Sequence, residues 1–467
     1  MRLPENILWA LWEHAKFKNE VLHNDHTIRI LKRGTYTGDF GGPDYADVSV
    51  SFNGSILTGS LEIDSEQSGW ISHGHSSDPA FNSCILHIHG GNSGSESVTN
   101  SRGGNILSLP IGIFFSENIH FALAELLKSG KLPSTSPLIC SDRLEELDSE
   151  FLRKYFYELA IERFQKKCKR FSDLYYNFQQ NISFLYSLNP DAEFIWKYTI
   201  SAMVFRAMGY SANSSLMEDL FSMINPAFLI EYSGREDFSE YLETYVWELS
   251  GLLPELSEIE EDSTISYIRS IKERWEEIRK YLNASRISKY QWKTRMLRPG
   301  ATVHLRIYTA VQIVAGLWKN GFSDIFHQKN NSLTQKEFAS LLKGYLQVEA
   351  GNYWSLHNSF TKRMSTQFTV LPGDSRIQEI LINVFLPGLY SYFSVIGNAT
   401  MKELCRQGYL EMKLKSNPGI ISKILKEVLP SEKPDSAVYY QGAVELSTEF
   451  CKKGRCDECK IGERVFS

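Results

Sequence analysis

The chain has 467 residues, of which 42% are hydrophobic and 22% charged, and its formal net charge is −5. This length exceeds what one small core organises, so two or three domains are expected. The mild acidity excludes a global basic field of the kind that advertises nucleic-acid binding, though a local basic face stays open.

In chain order, "MRLPENILWALWEHAKF" has no cationic start followed by a long apolar stretch, so no signal peptide is expected. No run is long enough to span a bilayer, and the expected setting is cytoplasmic, without a membrane partner. Asn6 to Phe17 reads as an amphipathic helix with Ile7, Leu8, Leu11 and Trp12 inward. "TIRILK" reads as a strand. "DVSVSF" alternates Val48, Val50 and Phe52 on one face, Asn53-Gly54 signals a hairpin, and "SILTGSLEI" returns as its partner. "CILHIHG" is a further strand, "NILSLPIGIFF" an extended segment, and the Gly/Ser-rich stretch 90–104 between them a surface loop. Residues 129–142 read as a linker. Beyond it the chain turns helical, with a long amphipathic helix from about 143 and further helices near 192–208, 213–223, 236–250, 263–282, 301–318, 335–346, 375–395 and 417–428. The expected architecture is an α/β domain over 1–128, a large, mostly α domain over 143–438, and a C-terminal helix with a cysteine knuckle over 439–467.

Three features carry chemistry. First, Glu62 and Asp64 share one strand face, and the hairpin lays Asp44 opposite them. Acids so placed repel unless a cation such as Mg²⁺, Mn²⁺ or Ca²⁺ sits among them. The alternative is an acidic face turned to solvent, and Asp44 also suits a turn after Pro43. Second, His73/His75 and His87/His89 form two H-x-H pairs, donors suited to Zn²⁺ or Fe²⁺, or ordinary hydrogen-bonded histidines. His75 or His87 is a candidate general base, and Asp78 a candidate to orient it. Third, Cys451, Cys456 and Cys459 cluster in a chain of only seven cysteines, an odd number that argues against a disulfide framework. They suggest a structural Zn²⁺ or iron–sulfur site, with Cys405 the nearest further thiol. The basic run 163–170 reads as a solvated helix face. Lys293, Arg295 and Arg298 are candidate phosphate contacts, with Trp292 a candidate stacking partner.

The stretch "GGPDYADVSVSFNGSILTGSLEIDSEQSGWISHGHSSDPAFNSCILHIH" resembles the first part of an uncharacterised bacterial family of unknown function. Its members carry Gly-Pro-Asp, then Glu-Ile-His, then Trp…His-x-His…Asp and an Ile-Leu-His strand. The resemblance extends through "FRAMGYSANSSLMEDLF", "WKTRMLRPG", "ILINVFLPGLYSYF" and "QGAVELSTEFCKKGRCDECKIG". The front motif is in turn similar to the PD-(D/E)XK nuclease superfamily. That similarity implies a restriction-endonuclease-like mixed sheet, with Asp44 and Glu62 holding Mg²⁺ or Mn²⁺. It implies metal-dependent hydrolysis of DNA or RNA phosphodiesters, with Asp64 completing the metal shell or acting with water, and His75 or His87 assisting proton transfer. Two positions depart from the pattern: Asp64 stands at the lysine place, where the bacterial family has His, and Gly69 stands where that family has an acid. Two other readings stay open. One is a catalytically degenerate nuclease fold that grips nucleic acid or protein, which the Asp64 departure favours. The other is a histidine-centred metalloenzyme acting on a small molecule.

Overall fold

The computed structural model describes residues 3–38, 41–91, 94–132, 140, 144, 147–282, 285–294, 302–327, 333–351, 353–367, 369–414, 419–429 and 436–466. The chain forms two compact units. One comprises Met1–Leu159, Pro418–Pro434 and Gly442–Ser467, and the other Ala160–Asn417 and Asp435–Gln441.

The first unit is built on a curled, mixed, 8-stranded sheet. Its strands are β1 (Val21–His23), β2 (His26–Lys32), β3 (Thr35–Tyr36), β4 (Tyr45–Phe52), β5 (Ser55–Asp64), β6 (Cys84–His89), β7 (Ser97–Thr99) and β8 (Asn105–Pro110), in the order β1-β2-β4-β5-β6-β8-β7, with β3 beside β4. β4 and β5 close a two-residue hairpin in which Asn53 and Gly54 take φ of 48° and 83°, the left-handed pair such a turn requires. The chain then passes through a short helix α2 (Gly69–Ser72) and a 3₁₀ turn (Pro79–Ser83), so β6 returns parallel to β5, and β8 parallel to β6.

Alternation along these strands separates two faces. Leu61, Ile63, Leu86, Ile88 and Leu109 face a core shared with Leu8, Leu11 and Trp12 of α1 (Glu5–His14) and Leu123 and Leu126 of α3 (Ile119–Lys128). Burying side chains of this size stabilises by roughly 1.5–3 kcal/mol each. The opposite face carries a separate, smaller cluster of Trp70, Phe81, Cys84 and Ile106.

The second unit is helical, and its helices were largely legible from spacing. The helix Ala192–Met208 buries residues all round its axis, including Ile195, Trp196, Ile200, Val204 and Phe205, and packs against Val303–Gly316. Two small ribbons, Val348–Glu349 with Val370–Leu371 and His357–Ser359 with Lys362–Arg363, interrupt the helices where no strand was expected. The residues of the basic run 163–170 find partners on this unit: Arg163 and Lys167 donate to Gln441, and Arg170 pairs with Glu218.

The division of the chain differs from the expectation in two respects. The boundary falls inside the continuous helix α4 (Ser149–Tyr186), not at 129–142, because long-range contacts, rather than composition, decide which unit a residue joins. The C-terminal segment packs with the first unit rather than forming a separate knuckle domain. Among the described residues no helix is long and apolar enough to cross a membrane.

Helix Phe238–Ser250 ends on Gly251, whose φ is +65° and whose absent Cβ would stand 1.9 Å from the Ile287 carbonyl oxygen. Gly251→Ala is therefore expected to destabilise the second unit by at least about 2 kcal/mol, the left-handed penalty plus the clash. Denaturant unfolding of the two proteins checks this, and a loss below the left-handed penalty alone would show that the two segments part without cost.

Candidate metal centre

Glu62, Asp64, His87 and His89 occupy the sheet face away from the α1/α3 core, and all four are buried. Register aligns Glu62 with His87, Asp64 with His89, and His87 with Ser108 of β8. Asp44 lies immediately before β4, and Tyr45 pairs with Leu61, so Asp44 meets β5 opposite Glu62. Its backbone N–H donates to Glu62 Oε2 at 3.0 Å, and its Oδ2 accepts from the Ile63 N–H at 3.0 Å. Trp9 Nε1 of α1 donates to the same Oδ2 at 3.0 Å.

Asp64 is the hub. Its Oδ1 lies 2.8 Å from His73 Nδ1, and its Oδ2 lies 3.2 Å from His87 Nε2 and 3.9 Å from His75 Nε2. His87 is braced from behind, with Nδ1 3.0 Å from Ser108 Oγ, which also accepts from Gln67 Nε2 at 2.8 Å. His75 sits against Phe81 and Trp70. Its Nε2 stands 3.2 Å from Glu62 Oε1 yet is not angled into a hydrogen bond there, so a buried ring nitrogen faces two carboxylates unbonded. Both nitrogens of His89 are likewise buried without a hydrogen-bond partner among the described residues.

Among the described residues, the set of three ligand atoms lying within 4.8 Å of one another is supplied by Asp64, His73 and His75. Asp44 and Glu62 stand outside that set. His73 is half exposed, so the centre opens to solvent on its side.

The electrostatics are those of a site short of positive charge. Burial pushes Glu62 up to about 9, reinforced by the neighbouring charge of Asp44 and opposed by the Asp44 N–H. Burial also pushes Asp44 up to about 6 against the bonds from Ile63 and Trp9. Glu5 of α1 adds to both. Burial lowers His75, partly countered by Asp64, and takes His89 down to about 4. Among the described residues no lysine or arginine pairs with Asp44, Glu62 or Asp64.

The residues singled out from sequence therefore divide. Asp44, Glu62, Asp64, His75 and His87 converge. Asp78 does not orient a histidine by hydrogen bonding; its carboxylate caps the 3₁₀ turn through the Ala80 N–H at 2.9 Å. Lys293 is exposed and engages Asn213 through its backbone, whereas Arg295 and Arg298 lie outside the described residues. Trp292 is buried with its Nε1 donating to the Ser250 carbonyl, which removes it as a stacking platform. Cys405 is a correction: it is buried in the helical unit with Cys168 as its neighbouring thiol, while the thiols acting on Cys451 are Cys140, Cys459 and Cys456. Sequence reasoning missed Ser108, Gln67, Trp9 and Glu5, and gave His73 no role of its own. Ser108 left a trace, a lone polar residue between Leu107 and Leu109 in an alternating strand.

Gly69 has a local explanation. A Cβ there would stand 2.6 Å from the Asp64 carboxyl carbon, so the carboxylate at 64 and the bare glycine at 69 require each other.

The fold and site thus define a mixed-sheet protein with a buried carboxylate–imidazole centre. The chain belongs to the family described as Protein of unknown function (DUF2851), which matches residues 5–418. No curated protein and no solved structure matches it.

The raised Glu62 has a thermodynamic consequence. Burial raises Glu62 from the ordinary 4.5 to about 9, so its contribution to stability is complete below about 4.5 and is lost as pH rises through about 9. The chelated protein should lose thermal stability with rising pH across this window, and Glu62→Gln should flatten the slope. Thermal unfolding at stepped pH in chelator reads this directly; equal slopes in the two proteins would mean that Glu62 is not a sequestered acid.

Proposed function

We propose that this protein is a divalent-metal-dependent hydrolase of nucleic-acid phosphodiesters. The observation that carries this reading is the gathering of three carboxylates, Asp44, Glu62 and Asp64, at one end of β4 and β5 with imidazoles around them and, among the described residues, no lysine or arginine paired with them. Burying such charge is costly unless a cation compensates it. Asp64, His73 and His75 are the residues to hold the ion, with Glu62 and Asp44 on the oxygen-rich side. A mixed oxygen and nitrogen set suits Mn²⁺ or Zn²⁺ better than the oxygen-only preference of Mg²⁺. When bound, the ion supplies Lewis-acid charge for a phosphoryl oxygen and lowers the pKa of water. His87, braced by Ser108 and set against Asp64, is placed to hold or move a proton at Nε2. Burial lowers His75, which favours the neutral imidazole that a metal ligand requires.

Topology supports the same reading. A mixed sheet, in which antiparallel β4 and β5 are followed by a short helical crossover and a parallel β6, is of the kind that similarity to the PD-(D/E)XK superfamily implies. Asp44 and Glu62 occupy its two acid places. The departures at Asp64 and Gly69 count as one change in this setting, because the carboxylate fills the space the glycine leaves.

The test is cleavage of plasmid DNA and of DNA and RNA oligonucleotides with added Mg²⁺, Mn²⁺ or Zn²⁺. Hydrolysis that requires added ion and falls by about 10²-fold or more in Asp64→Ala and Glu62→Ala, with circular dichroism unchanged, is the expected result. A stoichiometric ion bound by Asp64, His73 and His75 without cleavage of any of these polymers would overturn it. That outcome would move the site to the small-molecule metalloenzyme reading, which the two imidazoles of the ligand set favour.

A further inference from the structure

Four thiols stand apart from the acidic centre. The C-terminal segment makes two tight turns, Cys451–Lys453 and Cys456–Glu458, before the short helix Lys460–Phe466. Its seating is specific. Gly454, at φ +62°, lies so close to α3 that a Cβ would stand 2.4 Å from the Ala124 carbonyl, and a Cβ on Gly462 would stand 2.1 Å from the Cys456 carbonyl. Asp457 pairs with Lys128 of α3 at 3.1 Å, and the Tyr155 hydroxyl of α4 donates to Cys459 Sγ at 3.7 Å. In this seating Cys451 is half-buried, and the neighbouring thiols acting on it are Cys140, Cys459 and Cys456. Arg455 and Lys460 are taken up by Glu458 and Glu158 rather than by sulfur.

We propose that Cys140, Cys451, Cys456 and Cys459 bind a metal centre through four thiolates, tying the C-terminal segment to the sheet-bearing unit. Neighbouring thiols raise one another's pKa, whereas a thiophilic ion or cluster makes all four deprotonated ligands at once. Four protein ligands leave no open position, so the centre is structural. Its identity follows from sulfur spacing. A tetrahedral zinc with ~2.3 Å bonds needs sulfurs ~3.8 Å apart, and an iron–sulfur cluster takes a wider set. No three of these sulfurs lie within 4.8 Å of one another.

The full chain, purified without oxygen, is assayed for zinc, iron and acid-labile sulfide. The expected result is one cluster per chain, read as iron with matching sulfide; zinc alone would keep the four-thiolate site but not the cluster. Cys140→Ser and Cys456→Ser should each lose it by about tenfold or more, while Cys405→Ser and Cys84→Ser keep it. Cys140→His, which preserves a ligand, should retain metal and so separates ligand loss from misfolding. Absence of stoichiometric zinc or iron in the parent chain, or full retention in Cys140→Ser, would overturn the assignment.

A second observation, in the helical unit, stands independently. The guanidiniums of Arg306 and Arg376 both lie over the Tyr210 ring, 3.7 and 3.2 Å from its centroid. Arg376 is paired with Glu379, but Nε and Nη1 of the buried Arg306 have no hydrogen-bond partner among the described residues. Tyr210, against which the pair lies, is 37% exposed. A buried cation without a counter-charge is strongly unfavourable. The geometry points to a binding site for a phosphate-type oxyanion completed by Arg306 and Arg376. Thermal unfolding with inorganic phosphate or pyrophosphate, against chloride at matched ionic strength, tests it. The oxyanion should raise the melting temperature of the parent chain and of Lys293→Gln. Neither Arg306→Gln nor Arg376→Gln should respond, each being confirmed folded by circular dichroism. No rise in the parent chain, or an undiminished rise in Arg306→Gln, would refute the site.

Discussion

The structure turns on one constraint: three carboxylates, Glu62 and Asp64 buried and Asp44 half-buried, gather at the end of a β-hairpin with no lysine or arginine paired to them among the described residues. Asp44 and Glu62 are drawn together by the strand pairing itself, since the Asp44 N–H bonds the Glu62 carboxylate and the Ile63 N–H bonds the Asp44 carboxylate. The backbone supplies partial positive charge, but burial still drives both acids upward. The remaining neighbours are imidazoles, donors that suit a metal as well as a proton. A face so composed has the charge that a cation would balance.

The surrounding elements serve that face. α1 closes the core side of the sheet with Leu8, Leu11 and Trp12 while sending Trp9 round to Asp44. The crossover between β5 and β6 is short because it only has to bring α2 and the His73–His75 turn over the strand ends, and Trp70 with Phe81 forms an apolar wall against which His75 packs. The parallel pairing of β5, β6 and β8 then stacks Glu62, His87 and Ser108 across three strands. Gly69 leaves the space that the Asp64 carboxylate fills. Each of these is a packing condition with a chemical result.

The C-terminal cysteines obey a different logic. Their turns sit on α3 through Gly454, which admits no side chain, and the further thiol beside them is Cys140 rather than Cys405. Proximity along the chain favoured Cys405, but that residue is committed to the interior of the helical unit. The same lesson applies to Trp292: an aromatic beside basic residues suggests stacking on a base, yet its indole N–H is spent on a buried carbonyl.

Local rules alone determined much of this protein. The Asn53–Gly54 turn, the alternation of β4 and β5, the amphipathic α1 and most helices follow from dihedral preference and hydrophobic period, which act over a few residues. The facing of Asp44 and Glu62 was legible for that reason, since a hairpin register is set by its turn. The roles of His73 and Ser108, the identity of the fourth thiol and the boundary inside α4 were decided only by tertiary structure. They depend on which parallel strand lies alongside which, and on which distant segment packs against which. Such pairings are fixed by the burial of whole faces rather than by any spacing written along the chain.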